Sequence, residues 1–140
     1  MGMRSLSCPP TAGADVVLTK APLSLAEVLG RVSGPDRGGI SFFAGVVRDE
    51  EEGRPILSIT YEAYESMAQK EIEKILRQAQ KRWPVRAAAH HRIGVVPVNE
   101  SSLLVACAGV HRPEAFAACQ WIVDAVKNEA PVWKVAYQWV

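Results

Sequence analysis

Residues Ser102–Val140 read SLLVACAGVHRPEAFAACQWIVDAVKNEAPVWKVAYQWV, a strand, a helix and a strand in close succession. Ser102–Val110 is an apolar run of strand length. Pro113 then suits the first helical position, where its missing N–H is not needed. Phe116, Cys119, Ile122, Val123 and Val126 recur at helical spacing, which carries the helix to about Lys127. Pro131 separates it from a final strand over Val132–Val140. Toward the N-terminus, Arg86–Gly94 reads as a strand joined to Ser102–Val110 by a segment holding Pro97 and Asn99. Ser66–Trp83 is the strongest helix. Ile72, Ile75, Leu76, Ala79 and Trp83 share one face, Glu73 and Arg77 form an i,i+4 pair, and Pro84 ends it. Gly39–Val47 reads as a buried strand and Ile56–Tyr64 as another strand, with Arg48–Pro55 (RDEEEGRP) between them as a mobile polar loop. Leu25–Val32 is a short helix opened by a Ser24/Glu27 capping box and stopped by Gly34-Pro35. Asp15–Lys20 alternates weakly as a first strand. Residues 1–14 read as a flexible N-terminal tail, which leaves 15–140 as a single domain. Helices and strands alternate irregularly, with strand pairs in the second half. That order predicts an α+β fold with a mainly antiparallel or mixed sheet.

Composition agrees with one soluble domain. The chain has 140 residues, 49% apolar and 22% charged. Its 16 basic and 15 acidic residues leave a net charge of +1, which argues against a general nucleic-acid binder. No apolar run reaches the roughly 18 residues of a membrane span. The N-terminus lacks the apolar core of a signal peptide, so the expectation is a cytoplasmic protein. Three cysteines, Cys8, Cys107 and Cys119, lie far apart without a C-x-x-C, which disfavours a disulfide framework or a zinc knuckle. Cys107 and Cys119 read as core residues. Neither a phosphate-binding glycine loop nor a G-x-S-x-G serine elbow is present.

A few residues carry chemistry. His90 and His91 are adjacent in a strand and point to opposite faces, so the expectation is one packed and one exposed, with no shared metal. His111-Arg112 stands directly before a helix. Unpaired N–H groups, a positive dipole end and a guanidinium fork there suit an anion, although Arg112 could equally pair with Glu114. Lys127 falls on the Phe116 and Val123 side of its helix. It is either a partly desolvated amine with base character or a lysine that snorkels from the helix end. Lys134 lies in PVWKV, opposite Trp133 and Val135 by alternation. The Asn128–Pro131 turn could bring it to one pocket with Lys127. Arg48 ends the apolar GISFFAGVV strand beside the polar loop, as a ligand contact or a surface residue.

The runs SFFAGVVRDEEEG, YEAYESMAQKEI and HHRIGVVPVNESSLLVACAGVHRPEAFAACQWIVDAVKNEAPVWK resemble the large, catalytic subunit of molybdopterin synthase, the MoaE family. The motifs are F-x-G-x-V-R, Y-E-A-Y-x-x-M-A, H-R-x-G, a second H-R before a helix, and K-x-x-x-P-x-W-K. Together they span about residues 38–134. The resemblance implies an α/β-hammerhead fold with an additional antiparallel β subdomain. It also implies a homodimer that becomes a heterotetramer with a small ubiquitin-like, MoaD-like sulfur carrier ending in a Gly-Gly thiocarboxylate. The implied reaction moves sulfur from that tail to cyclic pyranopterin monophosphate to form the molybdopterin dithiolene, with no metal or cofactor. Carried over residue by residue, Lys127 and Lys134 become the catalytic lysines, and Val46, Val47, Arg48, His111 and Arg112 the substrate contacts. One departure stands out: relatives commonly read W-K-K-E where this chain reads Trp133-Lys134-Val135-Ala136. The lost acid leaves open a carrier-binding scaffold of the same fold without turnover. A free-standing phosphometabolite-binding module is the other alternative. Arg112 and Lys127 stand 15 residues apart on one helix, roughly 22 Å at 1.5 Å per residue. A compact substrate meets both only if two subunits share a site.

Overall fold

The computed structural model describes residues 14–140, so Cys8 and all of the expected tail except Ala14 lie outside the described residues. Ala14 itself opens the first strand. In chain order the elements are β1 (Ala14–Thr19), α1 (Leu25–Val32), β2 (Gly39–Val46), β3 (Glu50–Glu51), β4 (Arg54–Ala63) and α2 (Glu65–Arg82). They continue with β5 (Val85–Arg92), β6 (Gly94–Pro97), β7 (Ser101–Gly109), α3 (Arg112–Glu129) and β8 (Val132–Trp139).

The main sheet has the strand order β1-β5-β7-β2. β1 runs parallel to β5, and the other neighbours are antiparallel. The sheet is therefore mixed, within the α+β class expected. Helices cover both of its faces, which is why β7 reads as a nearly continuous apolar run, while β2, expected to be buried, is an edge strand with Ile40 and Phe42 exposed. On one face Leu103, Val105 and Cys107 of β7 pack with Ile72, Ile75 and Leu76 of α2 and Ile122 and Val126 of α3. On the other, Leu104, Ala106 and Ala108 meet Val28 and Val32 of α1. Cys107 and Cys119 are both buried free thiols, and their mutual hydrogen bond pushes the Cys107 thiol far up.

Two expected local pairings form differently. At α1, Ser24 Oγ accepts the Glu27 N–H at 3.1 Å, while the Glu27 carboxylate turns to Arg31 at 3.5 Å instead of closing the box. On α2, Glu73 accepts from Gln69 Nε2 at 3.0 Å, in place of pairing with Arg77.

A second, antiparallel sheet runs β3-β4-β6, with β8 paired along the other side of β4. It encloses its own small core of Val47, Ile56, Ile59 and Val96. Two turns built on glycine make this sheet and depart from the sequence expectations. Gly94, with φ of +82°, ends the main-sheet course at Arg92 and sends the chain into β6. The expected strand Arg86–Gly94 thus ends at Arg92, and the expected connection after it holds a strand of the other sheet. Glu52 and Gly53 have φ of +51° and +79°, the signs of a type I′ turn. They fold the expected mobile loop Arg48–Pro55 into a hairpin in which Glu51 pairs with Arg54 and Glu50 with Pro55.

His90 and His91 do face opposite sides, but neither is exposed: they are 2% and 8% accessible. Coverage of both sheet faces removes the solvent side that the alternation suggested. His90 Nε2 bonds Asp15 Oδ2 at 2.8 Å, tying β5 to β1. That hydrogen bond is the main cause holding the Asp15 carboxyl below its ordinary 3.8. A depressed carboxyl contributes stability that is complete above the unfolded value and lost as pH falls from it through the folded value. Asp15→Asn is therefore expected to lower unfolding free energy by about 1–2 kcal/mol at pH 7 and to flatten the stability slope below pH 3.8. Urea melts at pH 7 and in that acid window check this. An unchanged midpoint at pH 7 would contradict it.

Candidate functional site

Where the two sheets meet the last turn of α3, the chain leaves a cavity of about 460 Å³. Each wall follows from the register. His91 in β5 stands beside Leu103 in β7, and Leu103 beside Gly45 in β2. This row lies on the face that α3 covers. There α3 ends, placing Val126 and Lys127 over the row. β2 runs on into Val46, Val47 and Arg48, which line the cavity from one side, and the hairpin adds Glu50 and Glu51. Tyr61 of β4 and Trp133 and Lys134 of β8 form the wall opposite.

The β8 wall depends on an irregularity. Thr60 is paired with Ala136, yet Tyr61 is paired with Lys134, which leaves Val135 as an extra residue. A bulge re-aims the side chains next to it. Trp133 and Lys134 both border the cavity, although strict alternation sets them on opposite sides.

The cavity thus gathers Val46, Val47, Arg48, Lys127 and Lys134. Three cations against two hairpin carboxylates leave a positive excess suited to an anionic ligand. Two sequence expectations change here. Lys127 shares the Phe116 side of α3, but Phe116 is 60% exposed. Lys127 is exposed as well, with Nζ 5.8 Å from the Phe43 ring centre. The stripe that suggested a desolvated amine is an open edge of the helix, so in this chain alone Lys127 keeps its water. His111 and Arg112 are not in the cavity. Both are exposed at the far end of α3, roughly 22 Å away along its axis. Glu114 is used as a cap there, its carboxylate accepting the His111 N–H at 3.2 Å. Arg112 forms no ion pair among the described residues.

Sequence reading assigned no role to His91, Tyr61, Trp133, Glu50 or Glu51. His91 was legible in principle, since it alternates with Ala87 and Ala89 on the helix-covered face. The ring sits edge-on to Tyr61 with centres 5.6 Å apart. Burial, with a further push from the Lys127 charge, sets the His91 imidazole below its ordinary 6.5, partly opposed by a hydrogen bond to the Arg92 carbonyl. Trp133 packs edge-on to Tyr64, with ring centres 5.0 Å apart. No group of three or more His, Cys, Asp or Glu residues is placed to hold a metal among the described residues.

The family model described as MoaE protein matches residues 18–129. A molybdopterin synthase catalytic subunit of Pyrococcus abyssi is 48% identical over 122 residues, covering 85% of this chain and 82% of that protein. The crystal structure of molybdopterin synthase from Staphylococcus aureus superposes with a TM-score of 0.83 at 26% identity, covering 90% of each chain. A complex of subunits 1 and 2 of the molybdopterin-converting factor from Helicobacter pylori shares the fold, with a TM-score of 0.70 at 21% identity, over 91% of this chain and 90% of that one.

Proposed function

The chain belongs to the MoaE family, and on that premise we propose that it is the catalytic subunit of a molybdopterin synthase, a sulfurtransferase acting on cyclic pyranopterin monophosphate. The observation that carries the reading is the single cavity in which Arg48, Lys127 and Lys134 converge. The sulfur donor is the thiocarboxylated Gly-Gly tail of a small ubiquitin-like carrier. The Helicobacter pylori relative is a complex of two subunits, which supports such a partner. A Gly-Gly tail has no side chains to exclude it from a narrow opening.

Each residue then has a defined task. Arg48 offers a planar fork to the substrate phosphate. Lys127 holds or delivers a proton as the thiocarboxylate sulfur attacks the pterin side chain. Lys134, facing it from β8, neutralises the carboxylate-like charge of the tail. Val46 and Val47 form the apolar wall against which the substrate lies. A carrier tail and substrate filling the cavity would exclude water around Lys127, completing the desolvation that the free chain lacks.

His111 and Arg112 require a second subunit. In the proposed homodimer, Arg112 of the partner subunit reaches the phosphate held by Arg48, beside the Lys127 amine, giving two composite sites per dimer. With two carriers the assembly is a heterotetramer. Among the described residues no helix is long and apolar enough to cross a membrane, and a cytoplasmic location belongs to the same proposal.

The test is turnover by the purified chain with thiocarboxylated carrier and cyclic pyranopterin monophosphate. Dithiolene product that requires all three components is expected. Carrier binding with no product would instead identify a scaffold.

A further inference from the structure

We propose that His91 is a positioning residue of this site, an uncharged hydrogen-bond acceptor that holds the Lys127 ammonium toward the cavity. The inference rests on the sulfur-transfer reading and adds a residue to it.

Four observations carry it. His91 Nδ1 lies 2.9 Å from the Arg92 carbonyl oxygen. A carbonyl only accepts, so Nδ1 carries the proton and Nε2 presents a lone pair. Nε2 has no hydrogen-bond partner among the described residues, and the ring borders the cavity together with Lys127. The ring cannot easily turn away. Tyr61 stands edge-on against it, and the neighbouring Arg92 is anchored by Glu100 at 2.6 Å and the Lys20 carbonyl at 3.3 Å. Finally, the charged groups around the cavity favour the neutral ring. Lys127 comes from α3, Lys134 from β8 and Arg48 from the end of β2, against Glu50 and Glu51 on the hairpin. Burial and the Lys127 charge both lower its proton affinity.

A pH dependence follows. No hydrogen bond joins Nε2 to the exposed Lys127 in the free chain; with His91 neutral, Nε2 accepts from that ammonium once bound substrate draws it into the cavity, and aims it. Once the ring is protonated, that acceptor is gone and a like charge faces Lys127. Activity should fall as pH drops through a midpoint below the ordinary histidine value of 6.5.

Two variants and one spectroscopic measurement test this. His91→Phe keeps the ring shape and its contact with Tyr61 but removes the acceptor. His91→Gln places a non-titrating amide near the Nε2 position. His91→Phe is expected to lose roughly 10–100-fold in kcat with KM for the pterin little changed. His91→Gln should keep most activity and lose the acid limb of the pH profile. In the free protein, without carrier or substrate, nitrogen NMR should show His91 protonated at Nδ1. With cyclic pyranopterin monophosphate bound, the titration midpoint of Lys127 Nζ should be lower in His91→Phe than in the wild type, because the ammonium lacks its acceptor. Wild-type kcat and pH profile in His91→Phe, or a Lys127 titration that ignores the substitution, would overturn the proposal. If His91→Phe does not fold, His91→Gln retaining the wild-type acid limb overturns it equally. If wild-type protein transfers no sulfur, the function reading fails, while the NMR titration still decides whether His91 holds Lys127.

Discussion

Lys127→Ala is expected to lower dithiolene formation by roughly 10²–10⁴-fold, the usual contribution of a positioned acid–base group. Lys127→Arg is expected to fail about as badly. Its guanidinium stays protonated at any working pH and so cannot take up a proton, and its planar fork does not reproduce a compact ammonium. The fold should survive both changes. Lys127 is exposed in the last turn of α3, so the alanine variant loses only a favourable interaction with the helix dipole, about 0.3–1 kcal/mol. Carrier affinity, measured by calorimetry, should stay within a few-fold, because the side chain lines the cavity and not the outer surface on which a folded carrier rests. The check is single-turnover sulfur transfer beside a thermal melt of each variant. Near-normal turnover by either one would remove Lys127 from the chemistry.

The second large effect concerns the distance along α3. Arg112 and Lys127 sit at opposite ends of that helix, and one protomer cannot bring both to a compact pterin. The composite-site reading predicts that Arg112→Ala and Lys127→Ala homodimers are each nearly inactive. Allowed to exchange subunits, they should recover. A mixed dimer holds one site with both defects and one site with neither, so about half the activity of a wild-type dimer returns. In a statistical mixture half the dimers are mixed, so about a quarter of wild-type activity is the expected plateau, reached at the rate of subunit exchange. Recovery of nothing under demonstrated exchange would show that each site is confined to one subunit.

Much of this architecture is legible in the residues because local signals and tertiary packing agree. Ser24 and the Leu25, Val28, Leu29 and Val32 spacing define α1 without help from the rest of the chain. The apolar run of β7 announces a strand covered on both faces. Other features depend on contacts that a one-dimensional pattern does not carry. Gly94 looks like the end of one strand, and only the positive φ there shows that it redirects the chain into a second sheet. Glu52-Gly53 lies in a run of charges that reads as a solvated loop, yet it makes a tight turn. Val135 is an extra residue in β8, and Lys134 and Trp133 border one cavity, neither of which strict alternation can foresee. Alternation sets His90 and His91 on opposite faces, but whether those faces are covered depends on helices far away in sequence. Helical spacing likewise placed Lys127 beside Phe116 without revealing that this edge is open.

Transfer of labelled sulfur addresses the central claim most directly. Carrier prepared with a ³⁴S thiocarboxylate is mixed with the purified chain and cyclic pyranopterin monophosphate, and the pterin product is weighed by mass spectrometry. The account predicts a product carrying two ³⁴S atoms, two carriers returned with ordinary carboxylate termini, and formation roughly 10²–10⁴-fold slower when Lys127→Ala replaces the wild-type chain. A carrier that binds tightly while every ³⁴S atom stays on its tail would contradict it.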